Sequence, residues 1–368
     1  MGTTPNDMSL RTEDLDYELD PALIATEPTS VRTDAKLLVV HPDHVEHRLV
    51  RDLPEYLQPG DLVARNTTTV IPARLVGTRS DTGGSIEGIF IEQRDPSTAV
   101  VMLKPSRRLR GGLQVVLQGP APREATATLN IRERRGDAWI VDFDGADVTA
   151  TMHACGWTPL PGYIRSRRAT SPAPAMTDHD DRSRYQTVYA SESVPSIAAP
   201  TAGLHLDEAL LGRIRDSGVR IADVQLAVGV GTFAPIKSEF LGDHDMHREY
   251  YSVQPTDLES LAAHDHGSSK LLAVGTTTVR VLESLPESPD PAHPCSGWTD
   301  LFITPPYRFK RVDALLTNFH LPRSSLIALV GALVGLDRLK QLYAEAASLG
   351  YRFYSYGDAM LVMPGCSD

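Results

Sequence analysis

Three cysteines in 368 residues, Cys155, Cys295 and Cys366, stand far apart with no C-x-x-C pair, so neither a disulfide framework nor a zinc ribbon is expected. That usage fits a reducing, cytoplasmic setting. Long hydrophobic runs are missing too. The longest, Leu326 to Leu336, falls well short of the about 20 residues that a membrane helix needs and reads as a buried helix. Residues 1–20 are polar and acidic and lack the apolar run of a secretory leader, so no signal peptide is expected. An excess of positive charge is absent as well. Lys and Arg number 36 against 47 Asp and Glu, for a net charge of -11, which excludes a protein that coats nucleic acid non-specifically.

What is present is enough apolar material, 41% of residues, to bury a large core in two domains or in one domain carrying an insertion. From about Asp61 to residue 143 the chain reads as short β-rich runs: Val70–Val76, Ile86–Glu92, Ala99–Leu103, Leu113–Leu117, Ala125–Ile131 and Trp139–Phe143. Their close punctuation by Gly, Pro, Asp or Arg argues for an antiparallel barrel or sandwich. After about Met152 helices and strands alternate. Asp207–Ser217 reads as a helix with Asp207 near its N-cap, Val219–Val230 as a strand, Leu271–Val274 as a strand, and Val279–Leu285 as a helix start. Asp313–Thr317 is a further strand and Ser324–Leu349 a long helix stopped at Gly350. The expected fold is therefore α/β, with a larger α/β domain made from both chain ends (1–65 and 151–368) and a small antiparallel β-barrel domain inserted at 66–150. Ser166–Arg184, rich in Ser, Asp, Pro and Arg, reads as a lid or substrate-ordered loop.

Several loops carry candidate chemistry. In Ala198–His205 the residues Pro200, Thr201 and Gly203 suggest a backbone shaped for close approach to a ligand, and His205 stands just before a helix, where the dipole favours a neutral imidazole. Gly275-Thr276-Thr277-Thr278-Val279-Arg280 follows a strand and opens a helix, a seat for a carboxylate or phosphate. The alternative is a plain Thr cap with Arg280 and Glu283 as a surface pair. This turn lacks the Lys of a P-loop and the Gly spacing of a dinucleotide site. Asn318, His320 and Arg323 share a loop between a strand and a helix, where open α/β sheets bind ligands. The segment Tyr351–Met360 adds Tyr354 and Asp358, or else forms an edge strand with Phe353 in the core. Two His-rich stretches, His244-Asp-Met-His247-Arg-Glu249 and His41-Pro-Asp-His44-Val-Glu-His47, invite a metal reading, but neither matches H-E-x-x-H and no metal site is expected. An acid/base or hydrogen-bonding role suits His247 and Glu249 better. Lys104, Arg107, Arg108 and Arg110 form a basic cluster, as do Arg165, Arg167 and Arg168, and Arg308, Lys310 and Arg311; each alone reads as solvated surface.

In combination, many of these runs resemble the S-adenosylmethionine:tRNA ribosyltransferase-isomerase family of queuosine biosynthesis. The resemblance rests on Asp16-Tyr-Glu-Leu, Asp52-Leu-Pro-Glu-Tyr-Leu, Val70-Ile-Pro-Ala-Arg-Leu, Lys104-Pro, Arg184-Tyr-Gln-Thr-Val-Tyr-Ala, Ala198 to His205, Gly231-Thr-Phe, Met246-His, Gly275 to Arg280, Thr299-Asp, Leu315 to Arg323 and Tyr351 to Leu361. It implies transfer of the ribosyl part of S-adenosylmethionine to a 7-aminomethyl-7-deazaguanine base in tRNA, and isomerisation to epoxyqueuosine with release of adenine and methionine. S-adenosylmethionine is then a substrate and no cofactor is implied. Such a reaction needs a base beside the acidifying sulfonium, a donor for the departing adenine and a site holding both reactants. On that footing His205 or His320 takes proton transfer, Glu249 and Asp358 contact cation or hydroxyls, and the Gly275–Arg280 turn takes the methionine carboxylate or an adjacent polar group. Lys104, Arg107, Arg108, Arg165 and Lys310 become candidate contacts for RNA or another acceptor.

The chain departs from the family pattern inside motifs. Where the family usually reads Asn-Asp-Thr-Arg, this chain has Asn66-Thr67-Thr68-Thr69, and Ala227 and Ala234 stand for a His and for a long polar residue. Truncations of this kind change what a pocket accepts. They leave open a paralogue that uses S-adenosylmethionine with a small-molecule acceptor, or only cleaves or isomerises it, and a non-catalytic RNA-binding relative.

Overall fold

The computed structural model describes residues 10–122, 124–170, 176–229, 236–265 and 267–366. The chain forms two compact units, one of Met1–Thr68, Thr187–Val194 and Pro200–Asp368, the other of Thr69–Gln186 and Pro195–Ala199.

The larger unit is organised by a nine-stranded sheet. Four neighbouring strands, Arg220–Leu226, Leu62–Asn66, Leu271–Val274 and Ala314–Asn318, run parallel. Ala359–Val362 pairs antiparallel with the last of these, Lys36–Val40 runs parallel to Ala359–Val362, and Val45–Leu49 closes that edge as an antiparallel hairpin. On the other side Glu249–Val253 and Cys295–Thr299 add antiparallel strands. Side-chain alternation sends Leu37, Val39, Val63, Leu272, Val274, Leu316 and Leu361 to one face. There they meet Leu210, Leu211 and Ile214 of helix Glu208–Asp216, with Val50 and Leu53 of a 3-10 turn. Each such side chain contributes about 1.5–3 kcal/mol by leaving water. Asp207 caps that helix by accepting from the Leu210 N–H at 2.8 Å, and Gly218, at φ +81°, lies just past its end.

The smaller unit is a closed six-stranded antiparallel barrel, in the order Ala138–Asp142, Thr98–Lys104, Ser85–Gln93, Arg74–Arg79, Gln114–Gln118 and Thr126–Arg135. The α/β class with an inserted barrel is thus borne out. Val101, Leu117, Leu129, Trp139 and Phe143 fill its core, together with Val148, Met152 and Cys155 from helix Val148–Cys155. The unit takes in that helix and runs on to Gln186, past the expected end at residue 150.

Other expectations need correction. The strand expected at Val70–Val76 begins only at Arg74, because Pro72 has no N–H to give to a ladder. The strand expected to reach Val230 ends at Leu226; beyond it the Gly229 N–H turns to Glu249 Oε1 at 2.9 Å, and 230–235 lie outside the described residues. The helix expected from Val279 starts at Thr276, since Gly275 at φ +90° supplies the turn into it. The single long helix is two, Ser325–Val334 and Leu336–Ser348, broken at Gly335 with φ +79°. The close seat of Leu336 on Gly331, where an added Cβ would lie 2.3 Å from Leu336 Cδ2, goes with that break. Ala359–Val362 is an interior strand, not an edge. Of the proposed lid, 171–175 lie outside the described residues, whereas Asp178–Arg184 is a helix capped by Thr177 and tied by Arg168 to Asp181 at 2.7 Å.

Candidate active site

Parallel strands deliver their carboxyl ends to one edge of the sheet, and there the larger unit gathers most of its buried polar side chains. Asn66 ends the strand Leu62–Asn66. Its Oδ1 accepts from the N–H groups of Thr68 and Leu226 at 3.1 and 3.2 Å, and its Nδ2 lies 3.3 Å from both Leu226 O and Thr277 Oγ1. Asn318 does the same for its own strand. It accepts from Thr201 Oγ1 at 2.8 Å and donates to Tyr354 O at 3.1 Å, so three separate segments are held by one amide. Gly275 sits between them, its N–H given to Leu316 O at 2.8 Å. Its positive φ turns the chain so that the helix Thr276–Ser284 opens at this edge. Thr278 Oγ1 is turned inward to Val274 O, 2.7 Å away, leaving the Thr276 and Thr277 end of the helix as the polar seat.

The two candidate proton-transfer histidines differ. His205, in the 3-10 turn Thr201–His205, has Nδ1 and Nε2 3.0 and 2.9 Å from the carbonyl oxygens of Ala202 and Gly357. A neutral imidazole has one N–H, so one of these contacts lacks a proton. Burial pushes its pKa down, against the pull of both carbonyls; burial, not the following helix, is the main cause of the neutral form. Neither ring nitrogen is open to a substrate. His320 has Nε2 3.2 Å from Thr317 Oγ1, while its buried Nδ1 has no partner. Burial pushes this group down to about 3, so it is neutral near pH 7. Its backbone is clamped from both sides, its N–H donating to the Tyr343 hydroxyl at 3.1 Å and its carbonyl accepting from the Tyr17 hydroxyl. Tyr17, Phe319, Tyr343 and Phe353 pack ring on ring beneath it, with Phe319 and Phe353 centroids 4.9 Å apart.

A second cluster lies along the strand Glu249–Val253. Buried Glu249 accepts from Gly229 N through Oε1 and pairs with Arg280 through Oε2. Arg280, also buried, gives its other N–H groups to Leu301 O at 3.1 Å and Thr299 O at 3.3 Å. Beside this pair is a cavity of about 50 Å³ lined by His244, Met246, His247 and Phe302 among others. The expected surface pair of Arg280 with Glu283 does not form. Glu283 instead accepts from the backbone of Lys310, Arg311 and Val312 at 2.8 to 3.2 Å and anchors that loop.

The strand-end edge therefore brings together Pro200, Thr201, Gly203, His205, Gly275, Thr276, Thr277, Asn318, His320, Tyr354 and Asp358, while His247, Glu249 and Arg280 line the separate cavity. Several carry a different task from the expected one. An added Cβ on Gly203 would stand 2.0 Å from the Tyr189 hydroxyl, so its close approach is to Tyr189. Asp358 is occupied, its two oxygens accepting from Lys36 N at 3.0 Å and Arg352 N at 2.7 Å. Arg323 is committed to Asp16 at 2.8 Å. Tyr354, at φ +72°, is raised to about 12, chiefly by burial. Lys104, Arg107 and Arg108 stand exposed on the barrel unit; Arg165 there pairs with Glu87 at 2.8 Å; exposed Lys310 belongs to the larger unit. Thr67 is buried with its N–H on Val224 O at 2.9 Å, Ala227 gives its N–H to Tyr250 O at 2.9 Å, and Ala234 lies outside the described residues. Sequence reasoning passed over Tyr17 and Tyr343 as site residues and met Asn66 only within the Asn66–Thr69 segment.

Against known proteins, the chain matches the family described as queuosine biosynthesis protein over residues 12–362. The S-adenosylmethionine:tRNA ribosyltransferase-isomerases of Moorella thermoacetica and Symbiobacterium thermophilum are each 42% identical to it, over 356 and 358 residues, 96% of this chain and 100% of each relative. The protein of that name from Thermotoga maritima is 40% identical over 356 residues, again 96% of this chain and 100% of the relative. Among solved structures, S-adenosylmethionine tRNA ribosyltransferase from Thermotoga maritima aligns at a TM-score of 0.52 and 32% identity, covering 95% of this chain and 100% of that one.

Proposed function

The chain belongs to the queuosine biosynthesis protein family, and from that membership we propose that it is an S-adenosylmethionine:tRNA ribosyltransferase-isomerase. The observation that carries this reading is the match along nearly the whole of both chains, 96% of this one and 100% of its relatives, so neither unit is missing or foreign. It transfers and isomerises the ribosyl moiety of S-adenosylmethionine on tRNA. In our reading the acceptor is a 7-aminomethyl-7-deazaguanine base, the product epoxyqueuosine, and adenine and methionine leave. S-adenosylmethionine serves as substrate, no resident cofactor takes part, and the setting is the cytoplasm. Among the described residues no helix is long and apolar enough to cross a membrane.

The strand-end geometry supports a division of labour. Buried His320 offers Nδ1 to the substrate. When the Thr317 hydroxyl donates to Nε2, Nδ1 carries the ring proton and is a donor for the departing adenine; the opposite tautomer makes it an acceptor. A group held near pKa 3 is a weak base, so the donor role suits it better. His205 and Asn318 are positioning residues that bind the Thr201 turn to the Tyr354–Asp358 segment. The helix start at Thr276 and Thr277 takes the methionine carboxylate, where unpaired N–H groups and the dipole favour an anion. Glu249, held by Arg280, faces cation or hydroxyls from the small cavity. With a net charge of -11, attraction to tRNA must be local, and Lys104, Arg107, Arg108, Arg165 and Lys310 are its candidates.

The test is incubation of purified protein with S-adenosylmethionine, with and without precursor-bearing tRNA, following adenine and methionine by mass spectrometry. Release only with that tRNA is the expected result. Turnover indifferent to tRNA would overturn the acceptor and favour a small molecule. Tight tRNA binding without turnover would overturn the activity.

A further inference from the structure

The hairpin between Lys36–Val40 and Val45–Leu49 carries a cluster that the reaction above does not use. Val40 pairs with Val45, and His41 N–H donates to His44 O at 2.9 Å, so the turn places His41, His44 and Glu46 on one side. Their ligand atoms all lie within 4.8 Å of one another; among the described residues no other group of three His, Cys, Asp or Glu does this. His41 Nε2 is 3.0 Å and His44 Nε2 3.7 Å from the same oxygen, Glu46 Oε1. Donors bound about 2.0–2.1 Å from a tetrahedral zinc stand about 3.3 Å apart, so these separations bracket the requirement. The two imidazoles lie nearly parallel, 4.2 Å between centroids with an angle of 4°.

The surroundings fix the orientation of each donor. His44 Nδ1 is 2.8 Å from Asp43 Oδ1, the carboxylate–histidine pairing that sets the tautomer of a metal-bound imidazole and leaves Nε2 as the ligand atom. The second Glu46 oxygen accepts from Arg48 Nη2 at 2.6 Å and from the Tyr56 hydroxyl at 3.0 Å, which turns Oε1 toward the histidines. Arg338 donates to the His41 carbonyl and ties the turn to the helix Leu336–Ser348. Asp43 and His44 are exposed, which leaves solvent to complete the coordination.

We propose that His41, His44 and Glu46 form a surface site for zinc or a divalent ion of the same borderline class, pinning the edge hairpin of the large sheet. Two imidazoles and a carboxylate suit zinc, nickel or copper better than magnesium or calcium, which prefer oxygen alone. The site is structural. Val40 lies at the end of the sheet opposite the carboxyl ends of the four parallel strands, because Ala359–Val362 and Lys36–Val40 run against them.

The test titrates the full-length protein, stripped by chelator and dialysed, with Zn²⁺ by calorimetry and with Co²⁺ by visible absorption. One tight equivalent is expected, with Co²⁺ giving the intense bands of a four- or five-coordinate ion. His41→Ala and His44→Ala should each weaken binding at least about 100-fold, and Asp43→Asn about 10–100-fold. A His244→Ala/His247→Ala double variant should bind as wild type. Glu46→Gln, which keeps the side-chain shape, provides the ligand deletion if an alanine variant fails to fold. All hairpin variants that fold should release adenine at the wild-type rate. No binding by wild type at 100 μM metal, or wild-type affinity in folded His41→Ala, His44→Ala or Glu46→Gln protein, would overturn the proposal.

Discussion

At the carboxyl ends of the four parallel strands the polar side chains are buried and tied to backbone, whereas on the barrel unit Lys104, Arg107 and Arg108 stand in solvent. Asn66, Thr201, His205, Asn318 and Asp358 each join segments far apart in sequence, so a change there alters geometry and chemistry together. The barrel cations hold no such junction. In one region every polar contact also holds the fold; the other can lose a charge and keep its fold.

The largest expected effect tests His320, the strand-end candidate histidine whose Nδ1 is unpartnered. His320→Ala should lower adenine release by about 10²–10⁴-fold in protein that remains folded under the assay conditions. An equal loss of rate in His205→Ala with no loss of stability would break the distinction between the two histidines. Glu249→Ala comes next. It strands the buried Arg280 cation, and a loss of about 3–5 kcal/mol in urea unfolding is expected. A conservative Glu249→Gln variant that recovers the fold but not the rate would sharpen the assignment. His205→Ala should cost about 1–3 kcal/mol by removing the one ring N–H donated to the Ala202 or the Gly357 carbonyl, and it should lower stability and rate together.

The pH dependence follows from His320. Its folded pKa of about 3 lies below the ordinary 6.5, so between these values the unfolded chain binds a proton that the native state refuses. Its neutral form is therefore tolerated without penalty above about pH 6.5, and native stability falls as pH drops from there toward 3. Urea unfolding at pH 7 and pH 4.5 should show a smaller drop in His320→Gln than in wild type. Equal drops would mean that the imidazole is solvated. The smallest effect is on the barrel. Replacing Lys104 or Arg107 by Ala should weaken tRNA binding and make the salt slope shallower by about one for each phosphate left without its cation, at an unchanged melting temperature.

The layered fold was legible because period-two and helical apolar patterns are local. The runs at Leu271–Val274 and Asp313–Thr317 announced strands within a residue of their observed bounds, and Asp207 marked the start of a helix. What the loops do with their side chains was not legible. Glu283 and Arg280 sit at helical i,i+3 spacing yet face different partners, because helix Thr276–Ser284 is buried on both of those sides. Gly335 gave the break in the last helix only through its backbone angle, which composition does not reveal.

By itself, then, the sequence determined the α/β class with its inserted barrel, the rough place of most elements and which family the chain resembles, since spacing and residue type act over a few neighbours. Only the tertiary structure decided that His205 is engaged on both nitrogens and His320 on one, that Asp358 serves the backbone, and that His41, His44 and Glu46 converge on a hairpin. Those outcomes depend on carbonyls, amides and carboxylates brought together from distant or turning chain, and a buried polar group takes whatever partner the packing leaves within about 3 Å.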